Sequence, residues 1–307
     1  MKIAVTGGAG FIGSHVAEAC LGAGHEVLVL DDLSSGKRHQ VPAAATFHQV
    51  DIQDPAVKEI FARERPEILI HHAAQMDVRR SVADPAFDAR VNILGLINLL
   101  EAGRVAGLRR VLFASSGGAA YGEQDEFPAP ETHRLEPVSP YGVSKRAGEL
   151  YLSCFGAMYG LEWVAMRYAN VYGPRQDPHG EAGVVAIFSE KLLAGEEPTI
   201  NGDGKQTRDY VYVGDLVRAN LALVGSAYCG PLNFGTGVET DVNRLFGLLC
   251  KACGVSVPER HGPAKPGEQR RSSISPRLAA ESIGWRPEVD LPTGLARTVE
   301  FFRARRG

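Results

Sequence analysis

The chain has no strong excess of charge of either sign: 33 Lys and Arg stand against 36 Asp and Glu in 307 residues, a net charge of −3. Basic and acidic residues are mixed throughout, which argues against a nucleic-acid groove or an anionic membrane patch as the main binding surface. The basic end (Arg303, Arg305, Arg306) follows Phe301-Phe302 and reads as a solvated helix terminus. No apolar run approaches the ~20 residues of a membrane span, and the opening residues read as a strand rather than a charged leader. A cytoplasmic location is the expectation. Five cysteines are an odd number for a disulfide framework. Cys250 and Cys253 form a Cys-x-x-Cys, but inside the apolar helical stretch 245–253 and with no second pair nearby. They read as buried core thiols, and no metal site is expected. Aromatic residues are sparse at 7%, and internal repeats and low-complexity tracts are lacking. What remains is an ordinary globular composition, 44% hydrophobic and 22% charged, long enough for one large core or two smaller ones.

The first thirty-two residues carry the most information. Ile3-Ala4-Val5 reads as a buried strand that runs into Gly7-Gly8-Ala9-Gly10-Phe11-Ile12-Gly13. Phe11, Ile12, His15, Val16, Ala19 and Cys20 then repeat at helical spacing, and Val27-Leu28-Val29-Leu30 ends in Asp31-Asp32. Strand, glycine turn, helix, strand, acid is the layout of a dinucleotide-binding βαβ unit. Glycines let the backbone approach a pyrophosphate, whose charge the helix N-terminus favours. Asp31 would accept hydrogen bonds from the adenosine ribose hydroxyls and repel a 2′-phosphate. NAD is therefore expected over NADP, although Lys37 and Arg38 follow closely.

Alternation continues through the first half. Residues 46–52, 68–72, 110–115 and 163–167 read as strands, and residues 56–63, 85–106 and 140–159 as helices. This predicts a doubly wound α/β fold of Rossmann type, with ligands at the C-terminal edge of a parallel sheet. After Asn170 the pattern breaks into long polar loops at 173–183, 195–209 and 262–276, lengths usually reserved for lids or specificity loops. Between them, 210–213 and 232–235 read as strands returning to the main sheet, with a helix at 214–224. The expected division is a dinucleotide-binding domain of residues 1–170 plus 210–238, and a smaller discontinuous substrate domain of residues 171–209 plus 239–307.

Ser139-Pro140-Tyr141-Gly142-Val143-Ser144-Lys145 is the second strong signal. Ser139 suits a helix cap and Pro140 its first turn. Tyr141 and Lys145 then share one helical face. A phenol with a pKa near ~10 is a poor base at neutral pH. Lys145 and an oxidised nicotinamide would favour its phenolate, which takes a proton from a hydroxyl while hydride leaves the same carbon.

With these residues in place, the chain resembles the extended short-chain dehydrogenase/reductase family, and within it the UDP-glucose (UDP-galactose) 4-epimerases. The likeness runs over the whole length and rests on the glycine motif, Asp51-Ile52, His72-Ala73-Ala74-Gln75, Val91-Asn92, Ser115-Ser116 before Tyr121-Gly122, Tyr141/Lys145, Arg167-Tyr168-Ala169-Asn170 and Arg208-Asp209-Tyr210. It implies Tyr141, Lys145 and Ser116 as catalytic residues. For the cofactor it implies Gly7, Gly10, Phe11, Ile12, Gly13, Asp31, Asp32, Ser35 and Gly36, then Asp51 and Ile52 beside the adenine. His72, Ala73, Ala74, Gln75, Asn92, Ser115, Tyr141, Lys145 and Tyr168 complete that set, with Tyr168 near the nicotinamide. For a UDP-sugar it implies Ser116, Gly117, Tyr141, Val184, Val185, the uracil segment Thr199-Ile200-Asn201, the diphosphate pair Asn170 and Arg208, and Lys265 with Glu268. Arg208 has its own warrant, because a guanidinium binds two phosphate oxygens at once; the competing reading is an ion pair with Asp209 or Asp203. The resemblance also implies a homodimer through a four-helix bundle of residues 85–106 and 140–159, whose apolar faces otherwise serve to cover the sheet.

Three departures matter. The hydroxyl residue that the family often places four before Tyr-Gly is Gly117 here, so Ser116 or a water is left to do its work. Lys265 replaces a more usual arginine. Met76 replaces a lysine that touches cofactor phosphates in some epimerases. The same segment selects among reactions, since the related 4,6-dehydratases carry an Asp-Glu pair there and decarboxylases a glutamate. Gly118, Ala119 and Ala120 supply no proton donor. The resemblance thus implies reversible hydride chemistry through a 4-keto sugar, with Ser272 leaving room for N-acetylhexosamines. Alternatives are another sugar-nucleotide reaction such as UDP-glucuronate 4-epimerisation, and a non-catalytic NAD-binding regulator.

Overall fold

The computed structural model describes residues 1–178, 183–264 and 269–306. Lys265 and Glu268 lie outside the described residues. In chain order the strands are β1 Lys2–Thr6, β2 Glu26–Asp31, β3 Thr46–Gln49, β4 Ile68–His71, β5 Arg110–Ser116, β6 Glu162–Tyr168, β7 Asn170–Tyr172, β8 Thr199–Asn201, β9 Thr207–Tyr212, β10 Gly230–Phe234, β11 Glu239–Asp241 and β12 Arg260–Gly262. Seven of them form one parallel sheet in the order β10-β6-β5-β4-β1-β2-β3. Strand order reverses between β1 and β4, and the crevice there is where an open α/β sheet binds its ligands.

Alternation along β1 builds the two sides of this sheet. Ile3 and Val5 join one core with Val16, Ala17 and Cys20 of the helix Phe11–Gly22 and Leu216, Ala219 and Leu223 of the helix Val213–Val224. Ala4, between them, faces the other core, shared with Phe61 of Ala56–Glu64, Leu96, Leu99 and Leu100 of Gly95–Ala106, and Leu152 and Phe155 of Pro140–Tyr159. Helices on both faces make the doubly wound α/β fold that the alternation predicts.

The long helix expected at 85–106 runs unbroken from Pro85 to Ala106 but carries a widened turn that the sequence did not announce. Asp84 caps this helix, Asp77 caps a short helix, Val78–Ala83, that precedes it, and a π-turn at Arg90–Leu94 joins its opening turn Pro85–Ala89 to Gly95–Ala106. The widened turn lets the buried Asn92 reach the backbone of Gln75.

A second difference concerns β9, which does not return to the main sheet. It lies between β7 and β11 in a separate three-stranded sheet, while β10 alone rejoins the parallel sheet beside β6. The chain leaves the main sheet at Ala169, whose amide bonds Phe234 O (3.0 Å) at the strand ends. β7 is thereby carried past the sheet edge, and β9 pairs with it in parallel there. A third core of Tyr172, Phe188, Leu192, Ile200, Leu245, Phe246, Leu249, Leu295 and Val299 fills this smaller unit. Cys250 and Cys253 belong to that core as free thiols, and burial pushes Cys253 up to about 11.

No helix among the described residues is long and apolar enough to cross a membrane.

Candidate active site

At the β1/β4 crevice the strand ends enclose a cavity of about 640 Å³. Its wall contains every residue that the sequence assigns to the cofactor except Gly36 and Asn92. The glycine turn forms a cradle that side chains would fill. Gly7 has φ +67°, and a β-carbon there would lie 2.7 Å from Ala73 N across the crevice. A β-carbon on Gly13 would overlap the Gly7 carbonyl. Bare backbone at the start of the helix Phe11–Gly22 is the surface that a pyrophosphate requires. His72, on the opposite wall, has a buried Nδ1 with no hydrogen-bond partner among the described residues. The cradle and that orphaned nitrogen both fit a bound dinucleotide.

At the end of β2, Asp31 accepts from the amides of Ala9 (2.9 Å) and Leu33 (2.9 Å), which fixes its carboxylate at the cavity wall. Burial raises its pKa, opposed by those two amide bonds. Gly36 acts from behind, since a β-carbon there would lie 2.6 Å from Asp31 Oδ1. The two nearby cations are engaged elsewhere: Arg38 lies 4.5 Å over the Phe47 ring, and Lys37 stands 3.4 Å from Asp177.

Asn92 is likewise a support. Its Oδ1 accepts from Gln75 N (2.9 Å), and its Nδ2 donates to Gln75 O (2.7 Å). This holds the His72–Gln75 turn against the cavity. The Tyr168 hydroxyl accepts from Asn220 Nδ2 (3.0 Å) and meets His72 Nε2 at 3.2 Å. Burial, then the charge of Lys145, pushes His72 down to about 3, so the imidazole is neutral at physiological pH. Burial also raises the Tyr168 phenol, which keeps it protonated.

Ser139 caps the helix Pro140–Tyr159 by accepting from Gly142 N (3.1 Å), with Pro140 in its first turn. This start aims Tyr141 and Lys145 into the cavity. The Lys145 ammonium donates to Ala114 O (2.8 Å) and lies 5.7 Å from the Tyr141 ring centre. Burial pushes it down to about 8, partly offset by the attraction of Asp88. Ser115 turns its hydroxyl away from the cavity to Glu149 (2.7 Å). Glu149 is itself paired in the interior with Arg167 (2.8 Å), which donates to Tyr121 Oη (2.9 Å). Ser116 Oγ accepts from Ala119 N (3.2 Å) as the cap of the helix Gly117–Tyr121, which leaves its own proton to donate toward the cavity it lines.

The residues assigned to the sugar nucleotide are only partly in this wall. Ser116 and Tyr141 line it; Gly117, Asn170, Val184, Val185, Thr199, Ile200, Asn201 and Arg208 do not. Asn170 opens β7 and Arg208 lies on adjacent β9, so both belong to the small sheet beyond the strand ends. Val185 and Ile200 are buried in the third core, so only their backbone is available to a ligand. The carboxylates that compete for Arg208 are engaged otherwise: Asp203 binds Arg270 through both oxygens, and Asp209 accepts from Thr236 and Gly237.

Sequence reasoning missed Arg175 and Asp177, which line the cavity from the loop after β7. Arg175 reaches Glu18 (2.7 Å) and Ser14 Oγ (3.2 Å) on the first helix, while Asp177 faces Lys37. The loop was recognisable by its length, but the partners of its charges were not.

Lys145 supplies a test. With a folded pKa of about 8 against an ordinary 10.5, the folded chain binds fewer protons than the unfolded chain between those values. The stability contributed by this residue is therefore lowest at neutral pH and rises as pH climbs through that window. Stripped of dinucleotide, Lys145→Met is expected to be about 1–3 kcal/mol more stable than the parent at pH 7, with the gap shrinking toward pH ~10. Urea unfolding across this pH range checks it, and a variant less stable at pH 7 would overturn it.

Comparison with known proteins agrees with this geometry. Residues 3–231 match the model of the NAD dependent epimerase/dehydratase family. A UDP-glucose 4-epimerase of Mycolicibacterium smegmatis is 48% identical, with 99% of each chain covered. The crystal structure of a UDP-glucose 4-epimerase from Thermotoga maritima with UDP-glucose superposes at a TM-score of 0.98, with 48% identity over all of both chains. A UDP-N-acetylglucosamine 4-epimerase from Methanobrevibacter ruminantium, in complex with UDP-N-acetylmuramic acid, gives 0.94 at 34% identity over 99% of this chain and 98% of its own. The chain is thus a member of the NAD-dependent epimerase/dehydratase family.

Proposed function

We propose that this chain is a UDP-hexose 4-epimerase that interconverts UDP-glucose and UDP-galactose. The observation that carries the reading is the convergence of Tyr141, Lys145 and Ser116 on the dinucleotide cavity, beside a helix, Gly117–Tyr121, that has no carboxylate. That helix offers no acid to eliminate water, so reversible oxidation at one carbon is the chemistry left. The close relatives named as UDP-glucose 4-epimerases support it.

Gly7, Gly10, Gly13, Asp31, Tyr141 and Lys145 are the residues that would hold NAD, which would supply the hydride acceptor and donor for reversible oxidation at the sugar C4. Tyr141 takes the proton of the 4-hydroxyl, and the charge of Lys145 favours the phenolate it needs. Ser116 donates a hydrogen bond to the reacting oxygen. Asn170 and Arg208 anchor the diphosphate, so binding is concentrated on the nucleotide half while the sugar stays free to turn. Lys265 and Glu268 are assigned to the same ligand by resemblance.

A second reading widens the substrate range to N-acetylhexosamines. Ser272 is buried and lies 3.6 Å from where a β-carbon on Gly118 would be, so the contact between segment 269–275 and the helix Gly117–Tyr121 is built here from small groups.

The chain is assigned as a homodimer. Helices Gly95–Ala106 and Pro140–Tyr159 turn one face to the sheet, yet the outer faces carry Val105 (75% exposed), Leu150 (54%) and Met158 (63%). A four-helix bundle with a second copy would cover them. Five free thiols, two of them exposed, suit a reducing compartment, and the assignment is cytoplasmic.

Incubation with UDP-galactose and no added NAD should yield UDP-glucose in proton NMR spectra, and Tyr141→Phe should slow this by about 10²–10⁴-fold. No product from a sample carrying bound NAD would refute the reading. Ser272→Tyr is expected to suppress turnover of UDP-N-acetylgalactosamine about tenfold or more relative to UDP-galactose; equal losses on both would remove Ser272 as the gate. Leu150→Asp should shift the sedimentation coefficient from dimer to monomer, whereas a parent chain already monomeric at micromolar concentration would disprove the bundle.

A further inference from the structure

Ile274 is 1% exposed and sits where three pieces of chain meet. A β-carbon on Gly117 would lie 2.7 Å from its Cδ1 and 3.1 Å from its Cγ2, and one on Gly235 would lie 2.6 Å from its Cγ1. The isoleucine thus fills two notches that exist because both facing residues are glycine. Its amide donates to Asp209 Oδ2 (3.3 Å), the residue after Arg208 on β9. Its neighbours tie down the chain that follows the catalytic turn. Ala129 N donates to Ser273 O (3.0 Å), and Ser275 N donates to Ala129 O (2.9 Å). Ser273 N donates to Gln124 Oε1 (3.0 Å), and Gln269 Nε2 to Gly122 O (2.6 Å).

Segment 269–275 therefore bridges the loop that presents Ser116 and the strand that presents Arg208. We propose that Ile274 is a positioning residue, a wedge that holds Ser116 and Arg208 in fixed register. The inference rests on the epimerase reading above. It also gives position 117 a physical meaning. The room that a serine or threonine side chain needs there is occupied by Ile274, so the two cannot coexist without a shift of packed atoms. Filling by Ile274 fixes the turn but leaves the reacting oxygen to Ser116 next door. A wedge of this kind acts on kcat, because a small misplacement of Ser116 weakens an interaction made in the transition state while the diphosphate stays bound.

Four proteins test it: the parent, Ile274→Ala, Gly117→Ser and Gly117→Ser/Ile274→Val, each assayed on UDP-galactose with bound dinucleotide and Tm recorded. Ile274→Ala and Gly117→Ser are each expected to lower kcat by about 10–100-fold with KM and dinucleotide content little changed. Valine lacks the Cδ1 methyl that meets position 117, so the double variant should recover most of the loss of Gly117→Ser. Two results would overturn the wedge: a fall in Tm with kcat unchanged in Ile274→Ala, or a double variant no faster than Gly117→Ser. A parent inactive on UDP-galactose would instead bring down the epimerase reading, and the wedge's catalytic role with it.

Discussion

One buried charge organises this site. The Lys145 ammonium is held in a dry wall, where burial has already drawn its pKa down to about 8. A cation in such a place is costly unless its surroundings are fixed, and the structure spends many contacts on fixing them. Ala114 O takes one of its protons at 2.8 Å, the Phe113 ring lies 5.0 Å away, and Asp88 attracts it from the helix Pro85–Ala89. Below it, Ser115, Glu149, Arg167 and Tyr121 form a chain of satisfied hydrogen bonds that locks β5 to the helix Pro140–Tyr159. The same charge helps keep His72 neutral on the facing wall. The proton transfer proposed for Tyr141 would depend on this field, and the field depends on a lysine whose own burial the fold must tolerate.

The dinucleotide side follows from a different constraint, that of close approach. β1 and β4 are neighbours in the sheet although β2 and β3 intervene in sequence, and the turns after them nearly touch at Gly7 and Ala73. Only bare backbone fits between. Asn170 and Arg208 lie on the small sheet beyond these strand ends. Two cores pack against the faces of the main sheet, and a third fills the smaller unit built on β7 and β9.

Much of this was legible in the sequence because the signals are local. The glycine turn, Asp31 and the Ser139–Lys145 run each lie within one turn or one helix, so spacing alone determines which side chains share a face. The strand pattern of the parallel sheet was legible for the same reason. What failed depended on partners distant in the chain. β9 has the composition of an ordinary strand, and nothing within it reveals that it pairs with β7 rather than the main sheet. The π-turn at Arg90–Leu94 accompanies the bond of Asn92 to Gln75, a partner seventeen residues away. Gly117 read as a missing hydroxyl, and only the packing of Ile274 against it shows a space filled from elsewhere.

The loop after β7 has a bearing on traffic through the site. It runs over the dinucleotide cavity with one ion pair on each flank, Arg175 to Glu18 and Asp177 to Lys37, and it continues directly from the strand that Asn170 opens. In the proposed enzyme, a dinucleotide leaving past this loop would have to part both of these ion pairs. Two such clasps would suit the proposed reaction, in which the cofactor is loaded once and its redox state is restored within each cycle rather than by exchange with the pool outside.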